Sequence, residues 1–300
     1  METLVIAIGG NALLQRGDVL SAENQYRSIS LIADVIGRLA KKYRIALVHG
    51  NGPQVGLLAL QNLAYQDVPP YPLDILVAES QGMIGYMLTQ KLSASQPSQP
   101  VSTVLTRVQV DANDPAYQSP SKFIGPVYAP SQQQELEEKY GWIMKPDGDY
   151  IRRVVPSPAP KQIMDIEAIN LLLSKNHIVI CNGGGGIPMV AEGTSMVGSE
   201  AVIDKDLASA LLAESLSADH FIILTDADAV YMDWGTPKQR ALRSATVQEV
   251  APMAINDGAM GPKLMAVSRF VRHSGKVAHI GALNDIEAIL AGTAGTLITP

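Results

Sequence analysis

The sequence predicts an α/β fold in which a mainly parallel sheet carries helices on both faces. The first observation is that apolar runs of about four residues, typical of buried parallel strands, each end in a cluster of glycines. The second is that strand patterns alternate with helical patterns along most of the chain, as in βαβ units. The third is length, because 300 residues suffice for one large α/β unit or two lobes with a full core.

The glycine clusters predict a ligand site as well as tight turns. Glycine has no Cβ, so backbone N–H groups at such a turn can approach an anion closely. One cluster alone is explained equally well by a turn between a strand and a helix, whereas three of one kind favour a phosphate or carboxylate site. The clusters follow the apolar runs 5–8, 45–48 and 178–181 directly or after one residue, His49 or Asn182, and comprise Gly9–Gly10, Gly50–Gly52 and Gly183–Gly186.

The helical and strand patterns can be followed in order. An apolar stripe from Ile29 to Ala40 predicts the first long helix, and three basic residues follow at its end, where cations suit the helix dipole. The later elements are a strand over 44–48, helices near 53–66 and 73–93, a β-rich stretch over 101–110, a helix near 163–175, a strand over 177–181, a helix opening at Asp204, a strand over 221–225, a helix over about 262–274 closed by Gly275, a strand over 277–281, a helix near 285–291 and a short terminal strand.

A proline-rich stretch interrupts this alternation. Residues 111–160 carry eight of the nineteen prolines and show little sustained periodicity, so regular βαβ winding cannot continue through them. The stretch is interpreted as an inserted subdomain or lid, and the alternative is an irregular loop on the surface.

Composition excludes several classes of function. A net charge of −6 and only 5% aromatic residues argue against nucleic-acid binding, since no basic stripe interleaved with aromatics occurs. No apolar run approaches the roughly 18 residues of a membrane span, so we expect a cytoplasmic protein without a membrane partner. The single cysteine, Cys181, is expected in the core, and the five histidines lack zinc-ligand spacing.

Two lysines stand at predicted helix N-termini, where a cation is disfavoured. Asp204 is a predicted N-cap, which places Lys205 in the first turn of its helix. Pro262 is a predicted first-turn residue, which places Lys263 beside it. A cation there opposes the helix dipole by about 0.3–1 kcal/mol. One such lysine could simply point into solvent, whereas two favour a bound polyanion such as a nucleoside triphosphate.

Two acidic segments admit several interpretations. Asp206 either orients the two lysines, holds a metal ion or is an ordinary favourable acid in a first helical turn. Asp226 and Asp228 follow the strand at 221–225 and either cap the next segment or contact ribose, adenine or magnesium. The sequence contains no GxxxxGK(S/T) motif, so a P-loop is excluded.

Ten sequence segments, which together span nearly the whole chain in one order, carry a more specific signal. They include LVHGNGPQVG at 47–56, GGGGIPMV at 183–190, EAVIDKDLASALLA at 200–213 and GAMGPK at 258–263. Together they closely resemble the carbamate kinase family of the amino-acid kinase superfamily.

The resemblance implies a three-layer α/β/α sandwich with an open, mainly parallel sheet of about eight strands and a protruding subdomain at about 111–160. It implies an acceptor-binding lobe over 1–170, which includes the subdomain, and a nucleotide-binding lobe over 171–300. It further implies a homodimer.

The resemblance also implies the site. The implied catalytic residues are Lys122, Lys205, Asp206 and Lys263. The implied substrate-binding residues are Gly9, Gly10, Asn11, Gly50, Asn51 and Gly52. The implied nucleotide-binding residues are Gly184, Gly185, Lys205, Asp226, Tyr231, Met260 and Lys263. The protein alone would build no metal site, and Mg²⁺ would enter with the ATP phosphates.

The implied reaction is reversible phosphoryl transfer from ATP to carbamate, giving ADP and carbamoyl phosphate. The family implies that it runs toward ATP in nitrogen catabolism, from arginine or purine breakdown. Carbamate already bears a negative oxygen, so no general base is required. Relatives that phosphorylate acetylglutamate or glutamate have a lysine where this chain has Ala7, and Lys122 would supply the missing charge from the insert.

Two other functions stay open at this point. One is a kinase of another small carboxylate on the same fold. The other is a non-catalytic sensor of a nucleotide or metabolite, against which the presence of all four catalytic residues argues, because a sensor needs a pocket but no transfer machinery.

Overall fold

The computed structural model describes residues 1–14, 17–255 and 260–300, apart from the side chain of Asn11. The strands are, in chain order, β1 (Glu2–Ile8), β2 (Tyr43–His49), β3 (Val101–Thr103), β4 (Arg107–Gln109), β5 (Lys122–Tyr128), β6 (Ile143–Asp147), β7 (Tyr150–Val155), β8 (Gln162–Ile163), β9 (Ile178–Ile180), β10 (Ile187–Glu192), β11 (Ser195–Gly198), β12 (His220–Thr225), β13 (Val230–Met232), β14 (Arg240–Leu242), β15 (Ser244–Thr246), β16 (Ala278–Ala282) and β17 (Thr296–Thr299).

The helices alternate with these strands. They are α1 (Gly10–Leu13), α2 (Ala22–Leu39), α3 (Gly52–Ala64), α4 (Leu73–Ser95), α5 (Gln133–Tyr140), α6 (Ile166–Ser174), α7 (Lys205–Ser215), α8 (Val247–Ala254), α9 (Gly261–Ser274) and α10 (Ile286–Leu290). No helix in the described ranges has both the length and the apolar character that crossing a membrane requires.

Eight strands form the main sheet, in the order β15-β17-β16-β12-β1-β2-β9-β3. Its neighbouring strands pair in parallel except β16 and β17, which pair antiparallel. The predicted open, mainly parallel sheet of about eight strands is therefore confirmed.

The central strands are buried on both faces, which explains their continuous apolar runs. On one face, Val5 and Ala7 of β1 belong to a core cluster with side chains of α6, α7 and α9. On the other, Leu4, Ile6 and Ile8 belong to a second cluster with side chains of α2, α4 and α10. The sheet thus lies between two helical layers, as a three-layer α/β/α sandwich requires.

The carboxyl ends of four neighbouring strands bring the glycine clusters together. Gly9 N donates to Leu224 O at the end of β12, over 3.1 Å, and Gly50 N donates to Ile8 O at the end of β1, over 3.2 Å. Cys181 N donates to Leu47 O of β2 over 3.0 Å. In open α/β sheets, ligands bind at this edge.

The insert contains a separate antiparallel sheet in the order β5-β7-β6. A small cluster of Leu136, Trp142, Met144 and Ile151 packs beneath it. This sheet meets the body where Gly56 of α3 lies against Gly125 of β5, so closely that a Cβ on Gly56 would collide with the opposite backbone. The boundaries of the subdomain at 111–160 and of the two lobes at 170 stay predictions.

Several regions differ from the elements expected from the sequence, among them β13, β14, β15 and α8, which lie where no element was expected. The β-rich stretch over 101–110 divides into β3 of the main sheet and β4 of a second sheet, ordered β11-β10-β4-β8. The boundary lies near Thr106, whose N–H donates to Gln81 Oε1 over 2.8 Å and whose carbonyl oxygen accepts from Ile187 N of β10 over 2.8 Å. The hairpin of β10 and β11 was not expected, because its residues are half-exposed and lack a clear apolar alternation.

Candidate active site

Helix α7 begins where the sequence predicts, at a capping aspartate. One carboxylate oxygen of Asp204, Oδ1, accepts from the backbone N–H of Asp206 over 2.9 Å and from that of Leu207 over 3.2 Å. These bonds satisfy two of the unpaired donors at the helix start. They place Lys205 in the first turn, where its side chain is only 11% exposed, so it does not simply point into solvent.

Asp206 joins the two predicted lysines. Its Oδ1 lies 2.7 Å from Lys205 Nζ, and its Oδ2 lies 3.2 Å from Lys263 Nζ. The carboxylate is 5% exposed, and Lys263 reaches it from the first turn of α9, which packs beside α7. Of the interpretations open for Asp206, the geometry favours the one in which it orients the lysines, because both of its oxygens are engaged by them.

Lys122 approaches the same place from the insert. Its Nζ lies 2.6 Å from Asp204 Oδ2, the oxygen that does not cap α7. Asp204 therefore serves both as the helix cap and as the partner of the subdomain lysine. Sequence reasoning assigned it only the first role, since nothing local marks a partner that lies 82 residues away. These side chains form the lysine–aspartate cluster, defined as Lys122, Asp204, Lys205, Asp206 and Lys263.

Burial and neighbouring charges shift the pKa values of Asp206, Lys205 and Lys122 in different directions. Burial by itself would raise the pKa of Asp206, but the charges of Lys205 and Lys263 outweigh it, and the pKa falls well below its usual range. Burial lowers the pKa of Lys205, which the charge of Asp206 opposes and that of Lys263 reinforces. Burial is the largest single effect on Lys122 and lowers its pKa, but the charge of Asp204, the hydrogen bond to it and the charge of Asp206 together outweigh burial and raise the pKa.

The cluster carries an excess of positive charge. Three ammonium groups face two carboxylates, and the guanidinium of Arg152 lies near enough to Lys122 to act on its pKa. A buried excess of cations favours an anionic ligand.

The third glycine cluster lies against the other two. Asn182 and Gly184–Gly186 all have positive φ, at 54°, 64°, 94° and 92°. A Cβ on Gly184 would collide with the side-chain amide of Asn51, and a Cβ on Gly50 would lie 3.2 Å from Gly10 N. The three glycine turns therefore meet, and side chains at Gly50 and Gly184 would press on their neighbours.

Residues that the sequence did not single out hold these turns in place. Gln81 Nε2 donates to Gly183 O over 2.9 Å and Thr106 Oγ1 accepts from Asn182 N over 2.8 Å. Asn51 Nδ2 donates to Ser80 Oγ over 2.9 Å. The available signal was the pair of buried polar residues, Ser80 and Gln81, within an otherwise apolar helix face.

His49 is a buried neutral group beside the glycine turns. Its Nδ1–H donates to Gly50 O over 3.0 Å, and its ring edge lies against Gly183. Burial lowers its pKa to about 4, with the charge of Lys205 acting in the same direction. Cys181 is also buried, as expected, and burial raises the pKa of its thiol to about 12. Within the described residues no three His, Cys, Asp or Glu side chains group as metal ligands.

The remaining predicted nucleotide residues fall into two places. Met260 lies directly before α9, and Leu264 N donates to its carbonyl oxygen over 3.0 Å, so it is near Lys263 in the fold. Tyr231 lies on the β13–β14 hairpin, where its hydroxyl donates to Asp228 over 2.7 Å and its ring packs 5.2 Å from that of Trp234. Asp226 is exposed just past the end of β12. The side chain of Asn11 lies outside the described atoms.

Comparisons with known proteins give a consistent result. The model of the amino acid kinase family matches residues 2–282. The carbamate kinase of Escherichia coli K12 is 64% identical over 299 residues, covering 100% of both chains. That of Haemophilus influenzae is 50% identical and covers 99% of this chain and 96% of its own. The structure of Giardia lamblia carbamate kinase bound to AMP-PNP superposes with a TM-score of 0.90 at 36% identity, covering 99% of this chain and 98% of its own.

Proposed function

The chain belongs to the amino acid kinase family, as a member of its carbamate kinases, and we propose that its transfer site is the lysine–aspartate cluster with the adjoining glycine turns. Its reaction is the reversible transfer of a phosphoryl group between ATP and carbamate, which gives ADP and carbamoyl phosphate. A kinase of another small carboxylate and a non-catalytic sensor are not favoured, since the similarity to carbamate kinases covers the full chain.

The observation that carries the assignment of the site is the shared carboxylate of Asp206. Because its two oxygens hold Lys205 at 2.7 Å and Lys263 at 3.2 Å, two ammonium groups stay together in a buried position. In solution such groups would repel each other, and here the carboxylate of Asp206 holds them together. Preorganised cations of this kind stabilise the charge that spreads over the transferred phosphoryl group.

The two helix N-termini strengthen the same site. Helices α7 and α9 both start at the cluster, and the dipoles at their N-termini favour a phosphate there. Lys205 and Lys263 bind the β- and γ-phosphates of ATP in this assignment. Gly184 and Gly185 offer backbone N–H groups, and Asp226, Tyr231 and Met260 contact the nucleoside.

The acceptor lies on the opposite side, between the first two glycine turns and the insert. Carbamate and ATP are both anions, so the difficulty of the reaction is to bring them into line at short distance. The acceptor is held by Gly9, Gly10, Asn11, Gly50, Asn51 and Gly52. Lys122, which the subdomain strand β5 delivers, neutralises the acceptor. No proton has to be removed from carbamate, so the neutral state of His49 is no obstacle.

Magnesium enters with the ATP phosphates in this proposal. Both oxygens of Asp206 are occupied by lysines, so this carboxylate suits a positioning role better than direct metal ligation. Mg²⁺ typically retains several waters and binds through phosphates with few carboxylates, which fits such a site. Its chemistry would be to neutralise phosphate oxygens.

A cytoplasmic homodimer is part of the proposal. The reaction uses ATP and ADP, which are intracellular metabolites. Strand β3 lies at one edge of the main sheet, and the adjacent helix α4 exposes Tyr86, 63% accessible. An edge strand beside exposed aromatic surface is suited to pairing with a second copy. Sedimentation of the purified protein should give twice the monomer mass of 32.0 kDa, and a concentration-independent monomer would contradict it.

The experiment that tests the site is ATP formation in the reverse direction. Purified protein is incubated with ADP, Mg²⁺ and carbamoyl phosphate, and ATP is followed by luminescence. We expect Lys205→Ala to lower the rate by about 100-fold or more, whereas substitution of the exposed Lys175, which directly follows α6, by Ala should not change it. Equal rates for both variants would overturn the assignment. In the forward direction, ATP should be consumed with carbamate and not with acetate or glutamate.

A further inference from the structure

A cavity lies between the subdomain and helices α3 and α4, away from the lysine–aspartate cluster. It has a volume of about 570 Å³ and is bounded by α3 and α4 of the body and by β6 and β7 of the subdomain. None of the cluster residues or glycine turns lines it in the described part of the chain. Its volume falls within the roughly 300–1,000 Å³ that is typical of pockets for small molecules.

The cavity wall is mainly apolar and aromatic. Leu63 and Leu76 contribute from the body, Trp142 from the subdomain, and Tyr71 and Tyr117 from the loops. The ring of Tyr140 stacks on that of Trp142, with centroids 4.7 Å apart, which fixes this part of the wall. Such a surface suits a flat or branched apolar body.

One cation in this wall has no carboxylate partner. The guanidinium carbon of Arg153 lies 4.8 Å from the centroid of Trp142, over the ring face. Within the described ranges, the guanidinium makes neither an ion pair nor a hydrogen bond. Its neighbour Arg152 is engaged: its Nε donates to Gly125 O over 2.8 Å, and its Nη1 lies 3.5 Å from Asp147. Arg153 is therefore half-buried and lines the cavity with its guanidinium N–H donors. In the described part of the chain its only structural role is to stack on Trp142.

One carboxylate also lines the cavity, but it is already in use. Glu200 Oε2 accepts from Leu73 N over 2.8 Å and so caps α4, whose N-cap residue is a proline. Its charge is near enough to raise the pKa of Arg153 against the lowering effect of burial, yet the described chain contains no ion pair between the two. An anion bound to Arg153 would consequently feel some repulsion from Glu200.

We propose that this cavity binds a small organic carboxylate that carries an aromatic or branched apolar group. Its carboxylate would pair with Arg153, and its apolar group would pack against Trp142 and the leucines. Guanidinium and carboxylate match geometrically as a two-pronged pair. The inference is independent of the proposed function, because it uses no residue of the transfer site.

The position of the cavity connects body and subdomain. Arg153 of β7 lies opposite Ile124 of β5, two residues from Lys122 on the same strand. A molecule held between Arg153 and the leucines of the body would contact both sides of this junction.

The test uses phenylacetate as the probe and calorimetry as the readout, on the full chain with saturating ADP and Mg²⁺ present. We expect saturable binding of phenylacetate and at least about tenfold weaker binding of its neutral analogue phenylacetamide, as the loss of a charged hydrogen-bonded pair requires. Arg153→Gln should weaken phenylacetate binding about tenfold or more. Glu200→Gln, which keeps the acceptor for Leu73 N, should strengthen it severalfold because a repelling charge is removed.

Lys205→Ala serves as the control for carboxylate binding at the transfer site, and phenylacetate binding should be unchanged in it. Thermal unfolding of each variant verifies that it is folded. If Arg153→Gln does not fold, the effect of Glu200→Gln on phenylacetate binding still tests the proposal. The proposal is overturned if phenylacetate fails to bind, if Lys205→Ala abolishes binding, or if Glu200→Gln weakens it.

Discussion

Lys122 Nζ lies 2.6 Å from Asp204 Oδ2, although the two residues belong to different parts of the fold. Lys122 begins β5 in the antiparallel sheet of the insert, and Asp204 caps α7 beside the main sheet. The ion pair therefore ties the subdomain to the helix that presents Lys205. The subdomain and the start of α7 therefore meet at one carboxylate.

The first prediction follows from this pair. Lys122→Ala should lower ATP formation from carbamoyl phosphate by about 100-fold or more, because the acceptor loses its charge partner. ADP affinity should stay within about twofold, since Lys205 and Lys263 remain held by Asp206. Both quantities are measured on the same preparation, with the exposed Lys145→Ala on β6 as control. Loss of ADP affinity equal to the loss of rate would mean that Lys122 acts on the nucleotide.

The second prediction concerns Asp206. Asp206→Asn should reduce the free energy of unfolding at pH 7 by about 3–5 kcal/mol, because two buried ammonium groups lose their counter-charge. The pKa of Asp206 is depressed in the folded state, so its stabilisation is present above the ordinary value near 3.9 and is lost as pH falls through the folded pKa.

Urea unfolding between pH 3 and pH 7 provides the measurement for Asp206. The difference between the parent chain and Asp206→Asn should shrink below about pH 4, while the exposed Asp149→Asn should show no comparable difference at any pH. A difference that is constant across this range would rule out the charge explanation.

The third prediction concerns His49. Its pKa is about 4 in the folded protein and near 6.5 in an unfolded chain, so the unfolded state binds the extra proton between these values. Stability should therefore fall as pH drops from 6.5 to 4, with His49 contributing about 3 kcal/mol. In His49→Gln the pH dependence of the unfolding free energy should become shallower over this window but not vanish, because burial also lowers the pKa of His279 to about 4, and the exposed His273→Gln should retain the full dependence. An unchanged slope in His49→Gln would show that the buried imidazole is not the source.

The fourth prediction separates crowding from backbone strain in the glycine turns. Gly184 and Gly193 have similar positive φ values, 64° and 60°, but only at Gly184 would a Cβ meet a neighbour, the amide of Asn51. Gly184→Ala should therefore destabilise the protein by about 1–3 kcal/mol more than Gly193→Ala and lower ATP formation as well. Urea unfolding and the luminescence assay provide the two readouts. Equal effects of both substitutions would indicate that only φ matters there.

The sequence predicted those parts of the fold whose signal is local. Strands β1, β2, β9 and β12 were found because strands buried on both faces give continuous apolar runs. The starts of α7 and α9 were found because Asp204 and Pro262 mark helix N-termini by chemistry that acts within one turn.

Other features depend on partners distant in the chain, and the sequence could not supply them. Gln81 binds the backbone of Thr106 between β3 and β4, and its position beside Ser80 on an apolar helix face does not show which distant backbone it holds. Asp204 was recognised as a cap and not as the partner of Lys122, because the second role exists only after the insert folds back onto α7. The cavity around Arg153 likewise arises from packing between elements that are far apart in sequence.

The most direct test of the account is a double-mutant cycle on Lys205→Met and Lys263→Met, measured by ADP affinity and by the rate of ATP formation. Each single substitution should weaken ADP binding and lower the rate by about 100-fold or more. The double variant should lose less than the product of the two effects, because both lysines act through Asp206. If either single variant keeps the ADP affinity and rate of the parent chain within about twofold, the lysine–aspartate cluster is not the phosphate site.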